Sequence, residues 1–142
     1  MVVNMDANSP DNIHPSNKKQ VGERLAYLAL SKTYGVNGFP CNSPVYKSMK
    51  IKGSIVEMEF DMNGSLGFYS NVVMIKGFKI AGQDKRFHDA SASISGNRIF
   101  VSSPQVDTPV AVRFAFDNTT ASEVFSMEGL PVSSFRTDNW EK

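Results

Sequence analysis

The chain has 142 residues, 41% of them hydrophobic and 20% charged, with a net charge of +1. That length can bury one core of useful size. The near-neutral balance gives no basic field for a nucleic acid, and no apolar run is long enough to span a membrane. The opening "MVVNMDANSPDN" has no basic stretch followed by an apolar one, so no signal peptide is visible in it. The single cysteine, Cys41, cannot form an intrachain disulfide or build a cysteine metal site alone.

The first apolar run, Met1–Met5, reads as the end of a buried strand. A turn-rich stretch containing Asp11 and His14 follows. Residues 16–34 carry the only strong helix pattern. Val21, Leu25 and Leu28 form an apolar stripe, widened by Ala29 and Tyr34, while Lys18, Lys19, Glu23 and Arg24 fall largely elsewhere. Pro15 or Ser16 is expected to start this helix, and Gly35 to end it as a left-handed cap. The Gly-, Pro- and Asn-rich segment "GVNGFPCNSPV" reads as a linker.

From Tyr46 the period changes to two. "KSMKIKGSIVEMEFDM" predicts a hairpin turning at Gly53-Ser54, and "VVMIKGFKIAG" a strand presenting Phe78 and Ile80. "HDASASISGNRIFVSS" predicts a hairpin around Gly96-Asn97. "PVAVRFAFDN" sets Val110, Val112, Phe114 and Phe116 on one face, and "EGLPVSSFRTDNW" reads as an irregular tail. Met49, Met58, Met62 and Met74 occupy alternate strand positions expected in the core. The fold class expected is therefore mainly β. It is an antiparallel β-sandwich preceded by one amphipathic helix and a loop.

The chemistry centres on Asp11 and His14. A carboxylate bonded to Nδ1 of a histidine fixes its tautomer and stabilises the imidazolium, leaving Nε2 to face a nucleophile. Three residues of separation permit that contact, but the spacing alone is a weak signal, and a surface Asp in a turn with an exposed His near a helix N-terminus is the plainer reading of it. His88, beside Asp89, has no accompanying ligand or acid pattern and reads as a polar residue near a strand start. Arg113 reads as exposed or locally ion-paired.

The wider text is more specific. The Asp-x-x-His-Pro block followed by "NKKQVGERLAYLALSKTYG" resembles the last motif block of SGNH-type hydrolases, and more narrowly the sialate O-acetylesterase family. "SPVYKSMKIKG", "IKGFKIAGQDKRF", "VSSPQVDTPVAVRFAF" and "EGLPVSSFRTDNW" are similar, in order, to segments of that family's C-terminal region. The resemblance implies a serine esterase that removes acetyl groups from sugar hydroxyls, typically the 9-O-acetyl of sialic acid. It maps the triad acid onto Asp11 and the triad base onto His14, and it implies no metal and no cofactor. An extracytoplasmic setting, periplasmic or secreted, comes with the family.

The family's nucleophile block, Gly-Asp-Ser, and its oxyanion residues have no counterpart here. The "GSL" at Gly64–Leu66 lies downstream of the histidine, in the wrong order. The expectation is a C-terminal fragment of a larger esterase, inactive alone. Its divisions would be 1–35 as the remnant of an α/β/α hydrolase domain, 36–45 as linker and 46–142 as sandwich. The helix stripe would then be orphaned, so self-association through helix 16–34 is a further expectation. Arg136 and Trp140 are candidates to hold the sugar or its carboxylate, with a tail-pinning role for Trp140 as the plainer reading. Two other functions stand beside the first: a stand-alone sugar-binding sandwich, and a purely structural module.

Overall fold

The structure is a computed structural model and describes residues 1–7 and 14–140. One helix, α1 (Lys18–Tyr34), precedes ten strands: β1 (Val45–Lys52), β2 (Ile55–Asp61), β3 (Phe68–Tyr69), β4 (Phe78–Ala81), β5 (Phe87–Asp89), β6 (Ser91–Ser95), β7 (Arg98–Ser102), β8 (Ala111–Phe114), β9 (Phe125–Ser126) and β10 (Phe135–Arg136). They form two four-stranded sheets, β1-β2-β7-β6 and β10-β8-β4-β5, and a two-stranded ribbon, β3-β9. Every pairing is antiparallel. The chain is mainly β, a sandwich of antiparallel sheets.

Alternation builds the core. Val56, Met58 and Phe60 of β2, with Ile99 and Val101 of β7, face Phe78 and Ile80 of β4 and Val112 and Phe114 of β8; all nine are buried. Aromatic rings join the layers. Phe78 and Phe114 lie 4.5 Å apart by centroid, Phe60 meets Phe68 of the ribbon edge-on at 5.0 Å, and Phe135 stacks on Tyr46 at 4.9 Å. Such pairs add to the burial of their area. Phe135 also touches Phe60, Phe78 and Phe114, so the terminal strand delivers a ring shared by both large sheets.

Both predicted hairpins form. Gly53 (φ +62°) opens the two-residue loop between β1 and β2, and Gly96 (φ +59°) the one between β6 and β7. The first sheet ends at β1, whose Lys47 and Lys50 are exposed at the edge and whose Ile51 is half solvent-facing. On the outward face Glu57 is enclosed by the Lys52 and Arg98 side chains. The Lys52 hydrogen bond, ahead of the Arg98 charge, holds its carboxyl below the usual range.

Five expectations are corrected. Met1–Met5 forms no strand: Val3 and Ala7 are buried, and Met5 packs on the sandwich core, its carbonyl accepting from Ser122 N–H. The helix starts at Lys18, because the Asn17 side chain accepts the Gln20 N–H and makes Asn17 the cap. Met74 is 75% exposed in the loop before β4, whereas Met58 is buried and Met49 and Met62 pack against the core. Phe116 leaves the core face. Ala115 N–H donates to the Gly77 carbonyl at 2.8 Å, Ala115 turns to φ +44°, and the strand ends before Phe116. The tail, read as irregular, contributes β10.

Gly77 is the counterpart of that turn. It sits at φ +85°, and a Cβ there would lie 2.8 Å from Cγ2 of Thr120. Gly77→Ala is expected to cost about 1–3 kcal/mol of stability, measured by chemical denaturation against wild type.

Candidate active site

The site begins at the approach to α1. His14 is exposed, in a bend three residues before the Asn17 cap. Asp11 lies outside the described residues. The helix that follows is fixed by a network that the sequence pattern did not indicate. Asn17 Oδ1 accepts from Gln20 N–H at 3.1 Å and Asn17 Nδ2 donates to Gln20 Oε1 at 3.1 Å. Gln20 Nε2 donates to Asp6 Oδ2 at 2.9 Å. Arg24 then grips the same carboxylate with both arms, Nη1 to Oδ1 at 2.6 Å and Nη2 to Oδ2 at 2.8 Å. The guanidinium also donates to the carbonyls of Val3 (3.1 Å) and Gly129 (3.3 Å).

Arg24 is therefore the buried residue of α1, at 8% exposure, whereas Leu25 and Tyr34 of the expected stripe stand 53% and 72% exposed. The expected apolar contact is replaced by a polar one. A desolvated guanidinium is costly unless its donors are used, and this one has acceptors on two separate segments, the N-terminal stretch and the Gly129 turn. Of the stripe, Val21 and Leu28 are half-buried on the Arg24 side of the helix, while Leu25, Ala29 and Tyr34 are exposed. Gly35 ends the helix at φ +69° as expected, and Val36 N–H donates to the Leu30 carbonyl.

Arg136 and Trp140 come together elsewhere, on the second sheet. Arg136 Nη1 donates to the Trp140 carbonyl at 3.2 Å, and the half-buried Trp140 ring leans on Phe87 at 5.7 Å, with Lys85 Nζ 5.5 Å from its centroid. The Arg113 guanidinium lies 4.1 Å from the Phe87 centroid, and Arg113 and Arg136 each lie 5.5 Å from the exposed Phe116. Beneath them Arg113 pairs in a fork with the buried carboxylate of Asp138, at 2.8 and 2.7 Å. The Trp140 environment thus includes the tail-pinning contact. Asp138 was missed because its partner is 25 residues away, and no spacing rule links them.

Other candidates resolve simply. His88 sits in β5 opposite Ile80. Ser65, of the "GSL" string, donates to the Gly67 carbonyl and accepts from Met127 N–H, a turn-forming role. Cys41 is half-buried beside Asn42. Among the described residues no group of three or more His, Cys, Asp or Glu side chains could hold a metal ion, and no helix is long and apolar enough to cross a membrane.

No family model matches the chain, and no curated protein matches it. Among solved structures, a carbohydrate acetylesterase from Xanthomonas citri superposes with a TM-score of 0.89 at 39% identity. The match covers 98% of this chain and 32% of that one. The chain is thus related, in sequence and in fold, to part of a carbohydrate acetylesterase. It spans about a third of that protein's length.

Two carboxylates tie stability to pH. Hydrogen bonding from Arg113 holds Asp138 below the usual carboxylate range. Asp117 is lowered to about 2, first by the Thr120 hydroxyl and then by the Thr119 and Thr120 N–H groups. A carboxyl lowered in the folded state contributes fully above its unfolded value, about 4, and loses that contribution as pH falls through the folded value. For Asp117 the window runs from about 4 down to about 2. The melting temperature should fall across that window, and less steeply in Asp117→Asn. Asp138→Asn, which strands the Arg113 charge, is expected to cost about 3 kcal/mol at neutral pH. Calorimetry of the variants against wild type checks both.

Proposed function

We propose that this chain forms part of a carbohydrate O-acetylesterase, to which it supplies His14 as general base and Asp11 as the acid that orients it. The observation that carries this reading is the 39% identity, spread over 98% of the chain, to a carbohydrate acetylesterase about three times as long. An exposed histidine just ahead of a firmly anchored helix start supports it.

In the proposed reaction the nucleophile is a serine from a Gly-Asp-Ser block that these 142 residues do not contain. Nε2 of His14 takes the serine proton as Oγ attacks the acetyl carbonyl. The tetrahedral intermediate collapses, its C–O bond to the sugar breaks, and the departing sugar oxygen takes that proton from Nε2 to become a free hydroxyl. Water, deprotonated by the same nitrogen, then attacks the acyl-enzyme and releases acetate and the free serine. Asp11 accepts from Nδ1–H throughout. The substrate is an acetylated sugar, with the 9-O-acetyl of sialic acid as the specific case and an extracytoplasmic glycan as its setting. Arg136 is proposed to hold a sugar carboxylate, with Trp140 beside it. The exposure of Arg136 and its hydrogen bond to Trp140 support that pairing.

The test is acetate release. The chain alone should hydrolyse neither 9-O-acetyl sialic acid nor acetylated xylan. Fused behind a segment carrying the serine block it should do so, and His14→Ala in that fusion should lower kcat by about 10³-fold or more. An undiminished rate in His14→Ala would refute the assignment. Preference for xylan over sialic acid would refute the sugar alone.

In isolation the exposed part of the α1 stripe, Leu25, Ala29 and Tyr34, is proposed to pair two copies of the chain. Sedimentation equilibrium should show a concentration-dependent dimer that Leu25→Lys with Tyr34→Lys returns to monomer.

A further inference from the structure

We infer that Arg24, acting through Asp6 and Gln20, is a positioning residue for His14, and that it couples the histidine to the sandwich. The inference rests on the proposed role of His14, but its physical basis lies wholly in described residues. A continuous series of hydrogen bonds runs from the sandwich to the helix start. The Gly129 carbonyl accepts from Arg24 Nη2 at 3.3 Å, Arg24 forks onto Asp6, Asp6 accepts from Gln20 at 2.9 Å, and Gln20 is bonded twice to the Asn17 cap.

Each link has a reason to be rigid. The Gly129 turn is closed by Gly129 N–H to the Ser126 carbonyl and by Ser126 N–H to the Leu130 carbonyl, both at 2.8 Å, on the β3-β9 ribbon. Asp6 is enclosed, its side chain 13% exposed, and precedes the buried Ala7. The fork allows one orientation of carboxylate and guanidinium, where an ammonium would allow many. Asn17 then fixes where α1 begins, three residues after His14. Asp6 and Gln20 stand eight residues before and six residues after His14 in sequence. Asp6 and Gln20, which flank His14 in sequence, are thus bonded to each other, and Gln20 holds the helix start that follows the histidine. A base must sit within hydrogen-bond reach of its proton donor, so such a brace serves geometry more than stability.

The position of Arg24 argues the same way. A helix held only for stability would turn its apolar stripe inward. Here the stripe is turned in only in part, with Val21 and Leu28 half-buried and Leu25, Ala29 and Tyr34 exposed, and the fully buried position of α1 is the charged Arg24. Arg24 brings α1 to a defined height over Gly129, which hydrophobic contact, being non-directional, would not set as closely.

The experiment is NMR on the ¹⁵N-labelled chain. The protein has two histidines, so the His88 ring in β5 serves as internal control. In Arg24→Gln and in the milder Gln20→Ala, the His14 ring nitrogen shifts should move. The amides of Gln20 and Val21 should exchange about five- to tenfold faster. The His88 ring and the β2 and β7 amides should keep their wild-type values. Arg24→Lys, which retains the charge without the fork, should recover only part of the His14 signal. A merely structural role predicts a lower melting temperature with an unchanged His14 ring, and that result overturns the inference. If Arg24→Gln disturbs the sandwich amides as well, Gln20→Ala decides alone. Asp11→Asn separates the two readings. An unchanged His14 ring in that variant removes the proposed acid–base pair, while the brace still stands or falls on the Gln20 and Arg24 variants.

Discussion

One guanidinium ties the helix to the sandwich. Arg24 reaches from α1 to the Asp6 carboxylate and to the carbonyls of Val3 and Gly129, so its donors join the helix to two segments far apart in sequence, the N-terminal stretch and the turn after β9. Burying a cation is unfavourable unless its hydrogen bonds are replaced and its charge is matched. Arg24 meets both conditions, and every group that meets them is thereby fixed in place. The N-terminal segment, the start of α1 and the turn after β9 all follow from this constraint.

The sandwich beneath obeys a different physics. Its two large sheets meet through alternating aliphatic and aromatic side chains, and Phe135 is the ring common to both. Apolar burial supplies the stability there, and ring geometry adds direction. The outward faces carry ion pairs such as Glu57 with Lys52 and Arg98, and Arg113 with Asp138. The molecule therefore separates a packed scaffold from a polar-braced approach to His14.

That division fits a chain related to one third of a carbohydrate acetylesterase. The sandwich gives a rigid base, and chemistry would sit on a loop held to it, as functional residues commonly sit on loops positioned by a scaffold. The exposed part of the α1 stripe is the feature that the sandwich itself leaves unexplained, since Leu25 and Tyr34 contribute nothing to its core.

Much of this was legible in the sequence. Period-two alternation marked β2, β4, β7 and β8, and Gly53 and Gly96 marked two hairpins, because pleat and turn are local properties. The helix and its Gly35 cap were legible for the same reason, and the Asp11–His14 block with the strings around it pointed to an esterase. The errors lay where local pattern and global packing disagree. Phe116 continued an alternation that Ala115 breaks by bonding to Gly77, and Met74 occupied a core-like position in an exposed loop. Arg24, Asp6 and Asp138 carried no local signal, as each is defined by a partner 18 or 25 residues away. The sequence by itself determined the helix, the main strands and a likeness to esterases, since propensity, periodicity and residue type act over a few neighbours. Only the tertiary structure decided which face of α1 is buried and what braces the approach to His14. Those depend on long-range desolvation and on donors meeting acceptors in three dimensions.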